Sequence, residues 1–244
     1  MRATTRRWKR SAGALSAAFF VSGAYGAHPL NTEDTGTQGK GGWQLELNGD
    51  QNKDEGVRGA QAAVILSHGV AESVDLQFGV PWQDNGEHRG GGDLTGAVKW
   101  RFWEQGPLSA GLRAAVTAPT GDEERGLGNG RPTWAAQLIG QYEGERWIFL
   151  AHAGYRRNLN NAGERDSIGE LSAAVLYKAS AQLKLLVDAN RTTNPDRTSD
   201  QALRYAVAGA IYSPTKDLDL DLGVRWGNEP AIDRALMAGI TLRW

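Results

Sequence analysis

Apolar and polar residues alternate through the last stretch of the chain. Leu236, Ala238, Ile240, Leu242 and Trp244 share one parity, and Ala235, Met237, Gly239, Thr241 and Arg243 the other. Successive side chains on a strand point to opposite faces, so this segment has one greasy face and one mixed face. The pattern recurs upstream in the same-parity sets Trp43/Leu45/Leu47, Ala60/Ala62/Val64/Leu66, Val74/Leu76/Phe78/Val80, Leu94/Gly96/Val98/Trp100/Phe102 and Leu108/Ala110/Leu112/Ala114/Val116/Ala118. It continues as Trp134/Ala136/Leu138/Gly140/Tyr142, Trp147/Phe149/Ala151/Ala153/Tyr155, Leu171/Ala173/Val175/Tyr177, Leu183/Leu185/Val187/Ala189, Leu203/Tyr205/Val207/Gly209/Ile211 and Leu218/Leu220/Leu222/Val224/Trp226.

With the terminal segment these sets predict about twelve strands, most of them about ten residues long. The links between them are of two alternating kinds. Those around 69–72, 104–106, 143–145, 178–180 and 213–216 are tight, whereas those around 50–57, 81–92, 119–131, 157–166, 191–200 and 227–232 are longer and polar. An even number of strands of this length, with short turns at one end and long loops at the other, predicts an all-β fold: a transmembrane antiparallel up-and-down barrel. The same asymmetry predicts that both termini and the short turns face the periplasm of a Gram-negative cell and that the six longer loops face outward.

Aromatic positions sharpen the picture. Trp43, Trp100, Phe102, Tyr142, Trp147, Tyr177 and Trp244 fall at the predicted periplasmic strand ends, and Trp134, Tyr155 and Trp226 at the outer ends with Trp82 just past one. Amphipathic rings collect at membrane interfaces, whereas rings filling a soluble core would show no preference for strand ends. The chain is hydrophilic on average and has no apolar run long enough for a spanning helix; a barrel needs none, because only every second strand residue meets lipid. A formal net charge of −1 gives no hint of a nucleic-acid partner, and the absence of cysteine excludes thiolate metal sites and disulfides.

The amino terminus reads as an export signal. Arg2, Arg6, Arg7, Lys9 and Arg10 form a positive region, Ala14 to Val21 an apolar one, and Ala24-Tyr25-Gly26 offers small residues before a cut after Gly26 or Ala27. The adjacent Arg6 and Arg7 fit a twin-arginine signal less well, since that route carries folded cargo and a barrel must cross unfolded. The predicted organisation is therefore a signal peptide over 1–26, a periplasmic segment or plug over 27–42, and the barrel over 43–244.

The segment before the first strand reads His28-Pro29-Leu30-Asn31-Thr32-Glu33-Asp34-Thr35-Gly36-Thr37-Gln38-Gly39-Lys40-Gly41-Gly42 and runs into Trp43-Gln44-Leu45-Glu46-Leu47-Asn48. It resembles the opening of the outer-membrane family named for the MetA-pathway of phenol degradation, whose members share the His-Pro-Leu, the acidic-Asp-Thr-Gly-Thr-Gln-Gly-Lys-Gly run and the Gln-Leu-Glu strand. The shared motif here is His28, Pro29, Leu30, Asp34, Thr35, Gly36, Thr37, Gln38, Gly39 and Lys40, while Asn31 and Glu33 depart from the commoner residues. The resemblance implies an outer-membrane barrel concerned with passage or sensing of small aromatic compounds. The terminal Trp244, with Leu242 and Ile240, likewise resembles the signal read by the barrel-assembly machinery.

Inside the predicted barrel the parity places Asp75, Asp93, Lys99, Arg101, Arg113, Arg156, Glu170, Lys184, Asp188, Arg204, Asp219, Asp221, Arg225, Asp233 and Arg243. Both signs are balanced, which predicts a wall braced by ion pairs or a narrow polar path rather than a strong field of one sign. Ile65, Ile139, Ile148, Leu150, Leu176 and Leu186 share that inward parity. An apolar lining of this kind suits a hydrophobic solute, or seats the segment His28 to Gly42 with Leu30 as its anchor. The candidate solute path combines these six residues with Lys99, Arg101, Arg113, Asp188 and Arg204.

Enzymatic readings find little support. None of His28, His68, His88 and His152 has a nucleophile motif nearby. Asp122, Glu123 and Glu124 lack the spacing of a known cation loop, and Gly126-Leu127-Gly128-Asn129-Gly130 lacks the Lys-Ser/Thr and helix of a phosphate loop. No cofactor or metal is expected. The expected partners are outer-membrane lipid, lipopolysaccharide, the assembly machinery and a small solute. The sequence is thus expected to encode a passive channel for small hydrophobic or aromatic solutes, the alternatives being a structural or adhesive barrel with a closed lumen and, third, a lipid-modifying outer-membrane enzyme.

Overall fold

The computed structural model of the protein describes residues 28–54, 56–228 and 233–244. The expected signal peptide and its cut lie outside the described residues. The strands are β1 (Trp43–Asp54), β2 (Val57–Ala71), β3 (Val74–Asp84), β4 (Arg89–Gly91), β5 (Leu94–Gln105), β6 (Leu108–Ala118), β7 (Thr133–Glu143), β8 (Trp147–Arg157), β9 (Ser167–Lys178), β10 (Leu183–Thr192), β11 (Leu203–Thr215), β12 (Leu218–Gly227) and β13 (Arg234–Arg243). Apart from β4, a three-residue strip folded back on β3 at Asp84 to Trp82, each pairs antiparallel with its sequence neighbours. β1 meets both β2 and β13, so the twelve long strands close into a barrel without a free edge. Closure satisfies every ladder within the wall, as an apolar surrounding requires.

The hydrophobic pattern sets which face looks out. On β12 and β13, Leu220, Leu222, Val224, Leu236, Ile240 and Leu242 stand exposed on the outer wall, while Asp219, Asp221, Arg225, Met237 and Thr241 are buried in the interior. The rings gather at the strand ends as expected: Trp43 stacks on His68 at 4.0 Å and lies parallel to Trp244 at 6.5 Å, and Trp147 tilts against Tyr177 at 4.8 Å. A bulge between Arg101 and Trp103 turns both Phe102 and Trp103 outward. An apolar outer surface of this extent is what lipid, not water, sustains.

Three expectations are corrected. First, β11 runs with the opposite parity: Leu203, Tyr205, Val207 and Ile211 are buried inside, and Arg204, with Ala206, Ala208 and Tyr212, belongs to the outer face. Both parities of this strand are apolar, so the greasier set was a poor guide; the greasier set is needed within. Arg204 therefore drops out of the inward charges and the candidate solute path. Second, the link expected at 50–57 is strand for most of its length, β1 and β2 staying in register to Asp54 and Val57 before a tight turn ending in Gly56, whose φ of 84° suits glycine. Polar residues there pair as well as apolar ones because the ladder is made of backbone. Third, β3 extends to Asp84 and β4 occupies part of the expected loop 81–92. The remaining links sort by length as expected, which defines a turn end and a loop end of the barrel.

Candidate functional site

The segment His28 to Gly42 crosses the barrel interior, and its backbone donors meet inward groups strand after strand. The His28 ring places Nδ1 2.5 Å from Asp221 of β12 and Nε2 3.1 Å from Asp50 of β1. The N–H groups of Asn31 and Thr32 both donate to Asp188 of β10 at 2.7 Å. Glu33 N–H donates to His152 Nδ1 of β8 at 3.0 Å, and Thr35 N–H to Gln141 of β7 at 3.1 Å. Gln38 N–H reaches both oxygens of Asp75 on β3 at 3.1 Å, and Gly41 N–H donates to the Gly69 carbonyl of β2 at 2.7 Å. An extended segment inside a closed barrel has no strand to pair with, and a buried unpaired N–H is costly. Carboxylates, an amide and an imidazole at inward positions supply the missing acceptors. Because His152 Nδ1 accepts, its proton sits on Nε2, which points toward Glu170 at 3.6 Å.

Charge fixes the same segment at its centre. Lys99 Nζ lies 2.8 Å from Glu33 and 2.7 Å from Asp34, and Arg113 Nε is 3.8 Å from Glu33. Burial disfavours the Asp34 carboxylate, yet Lys99 outweighs it and holds the carboxyl below its ordinary range. Burial likewise works against a charged His28, but Asp221 and Asp50 raise its pKa to about 9. The imidazole is therefore a cation at neutral pH, held between two carboxylates.

Leu30 is the apolar anchor. It is buried in one cluster with Ile148, Leu150, Leu176 and Leu186 of the expected inward set, to which the reversed β11 adds Leu203, Tyr205, Val207 and Ile211, and β13 adds Met237. Ile65 and Ile139 are inward and buried as expected but stand outside this cluster. Room for the segment comes from glycine. A Cβ at Gly223 would meet Pro29 at 2.8 Å, one at Gly239 would meet His28 Nδ1 at 2.7 Å, and one at Gly69 would collide with the Gly39 carbonyl. Inward glycines on neighbouring strands are the sequence signal for close backbone approach. Gly223 and Gly239 carry it, whereas Gly209, which also abuts Pro29, was hidden by the parity of its strand.

The structure thus brings together Lys99, Asp188, Ile148, Leu150, Leu176 and Leu186 around the family motif. Arg113 lies beside them, donating to Gln77 at 2.8 Å and Gln137 at 3.2 Å. Arg101 is peripheral, paired with Glu104 at 3.0 Å near the turn end. The pattern did not single out Glu46, Asp50, Gln141 or Ser172, all polar inward positions on otherwise ordinary strands. At the loop end, Asp93 accepts from Gly121 at 2.9 Å and Asn129 at 2.8 Å, fastening the loop 119–132, whose own Leu127 is buried. Burial pushes the Asp93 carboxyl up against those hydrogen bonds. A cavity among the inward residues Thr95, Arg113, Gln137, Arg156 and Glu170 measures about 20 Å³, room for roughly one water and not for an aromatic ring. In the same outer region, Glu123 accepts from Asn161 at 2.6 Å and Asp122 pairs with Arg125 at 3.3 Å.

The family described as "Putative MetA-pathway of phenol degradation" matches residues 26–244. Among solved structures, an outer membrane channel from Pseudomonas putida F1 superposes with a TM-score of 0.71 at 14% identity, over 86% of this chain and 98% of that one. The NanC porin gives 0.62 at 11% identity over 81% and 98%, and the KdgM porin in complex with disordered oligogalacturonate gives 0.58 at 9% over 82% and 98%. At these identities the likeness is one of fold: a porin-like outer-membrane barrel. No curated protein matches the sequence.

Proposed function

Since the chain belongs to the family described as "Putative MetA-pathway of phenol degradation", we propose that it is a passive outer-membrane conduit for small hydrophobic or aromatic solutes, closed at rest by the segment His28 to Gly42. In this reading the turn end and both termini face the periplasm, residues 1–26 are removed on export, and the barrel-assembly machinery inserts the chain through its terminal strand. The observation that carries the proposal is the apolar cluster around Leu30. Withdrawal of Leu30 exposes Ile148, Leu150, Leu176, Leu186 and the inward residues of β11 as a continuous greasy wall, against which a planar apolar solute sheds water more favourably than against the polar remainder of the lumen.

The segment acts as a plug because its contacts are of a replaceable kind. Hydrogen bonds to side chains exchange for bonds to water with little net change, and the charges of Lys99, Asp188 and Asp221 become solvated once the interior fills. Conductance of the purified protein in planar bilayers tests this: deletion of residues 29–41 is expected to raise it. Replacing Ile148, Leu150 and Leu176 with Asn is expected to slow uptake of phenol or toluene in cells without changing that of a polar solute of similar size. A barrel silent with and without the segment, in cells whose aromatic uptake does not depend on it, would instead support a structural barrel, the reading favoured by the ion-paired lumen around Lys99.

A further inference from the structure

Arg191 and Arg204 stand directly opposite each other on β10 and β11, on the outer wall at the loop end. Side chains so placed begin about 5 Å apart, and like charges there repel. Among the described residues neither guanidinium has a hydrogen-bonding or acidic partner. Arg157, the outward arginine two strands away, is by contrast tied to Asp166 at 3.6 Å and Ser167 at 3.3 Å. An exposed, unbalanced cation pair at this height of the wall calls for an anion from outside the chain.

The wall next to the pair is concave. One row of directly paired outward residues runs Ala110, Gly140, Ala151, Ala173, Ala189 and Ala206 from β6 to β11. Six strands at their usual spacing make this about 24 Å long. The row above it carries Leu138 and Leu171 and ends in Arg191 and Arg204; the row below carries Tyr142, Phe149 and Val187. Along the small-residue row, beside Leu138 and Leu171, lies a shallow, open apolar depression of about 710 Å³. It shares Ala153, Leu171 and Arg191 with a second cavity of about 440 Å³, lined also by Thr193, Asn194, Ser199, Glu170 and Arg165, the last paired with Asp200 at 2.7 Å. An apolar trench thus opens, at its loop end, onto a polar pocket beside Arg191.

We propose that this face binds one lipopolysaccharide molecule of the outer leaflet, a lipid A phosphate lying between Arg191 and Arg204 and an acyl chain in the trench. The placement of the loop end in the outer leaflet rests on the orientation proposed above. Two guanidinium forks are matched better by the three free oxygens of a phosphate monoester than by the two of a singly charged diester. The trench suits an acyl chain because its floor is apolar and made of alanines and a glycine, which leave the wall low between larger side chains.

The test is a titration of the purified barrel in detergent with bis-phosphorylated lipid A, read by native mass spectrometry; it needs no channel activity, so a silent channel leaves it decisive. One molecule is expected to bind. Arg191→Gln with Arg204→Gln is expected to weaken binding about tenfold or more, and Ala151→Leu with Ala173→Leu to weaken it as well, while Arg157→Gln leaves it unchanged. Heat-modifiable gel migration checks folding; if the trench variant does not fold, the exposed arginine pair decides. Equal binding of dephosphorylated lipid A or phosphatidylglycerol, retention by the double arginine variant, or occupation of the trench by a second copy that excludes lipid A would each overturn the proposal.

Discussion

His28 and Asp221 are 193 residues apart in the chain and 2.5 Å apart in the barrel. That pairing makes seating of the amino-terminal segment pH-dependent. The imidazole pKa is 6.5 when free and about 9 when seated, so protonation favours the seated form. The contribution, about 3 kcal/mol for a shift of this size, is fully present below pH 6.5 and is lost as pH rises through 9. Conductance of the wild type is expected to climb over that interval and that of His28→Gln to stay level; a level wild-type profile would count against the pairing as the seat.

Lys99 is the second fastening. Lys99→Met leaves Glu33 and Asp34 in the interior without their cation, and removing one partner of a buried pair costs about 3–5 kcal/mol. The barrel ladder is untouched, so the strain is expected to be relieved by unseating. Single-channel recordings should show a larger open fraction, returned toward wild type by adding Glu33→Gln and Asp34→Asn.

Closure depends on the last residue. Trp43 N–H donates to the Trp244 carbonyl at 2.9 Å, Trp244 N–H to the Trp43 carbonyl at 3.1 Å, and the rings lie parallel. Trp244→Ala is expected to lower the heat-modifiable, membrane-inserted fraction more than Trp226→Ala does, as measured on gels of outer-membrane preparations. Equal fractions for the two would remove any special role for the terminal ring.

The two faces of the wall should respond oppositely to charge. Val98 is exposed on the outer face and Ala115 faces the interior beside Arg113. Val98→Arg is expected to cost roughly 2–4 kcal/mol in urea unfolding from vesicles, and Ala115→Asp, placed beside the Arg113 guanidinium, less. Similar losses would contradict the assigned faces.

Twelve strands, their closure and the apolar inward set were legible because a period of two is written directly into residues such as Leu220, Leu222 and Val224. β11 was not, since Ala206 and Ala208 are as compatible with lipid as Val207 is with an interior filled by Leu30. The strip Arg89–Gly91 has too few residues to show any period. The contacts of the segment were legible only in outline: Leu30 announced an apolar anchor, but nothing local to Asp188 or Gln141 says that its partner is a backbone N–H more than a hundred residues away.

The clasp on His28 also dictates an order of events. Asp50 belongs to β1 and Asp221 to β12, and β13 lies between those two strands. The two carboxylates therefore converge on one imidazole only after the last strand has been zipped into the gap. His28 thus takes its final seat only once the cylinder is whole, and a seated imidazole reports a finished wall.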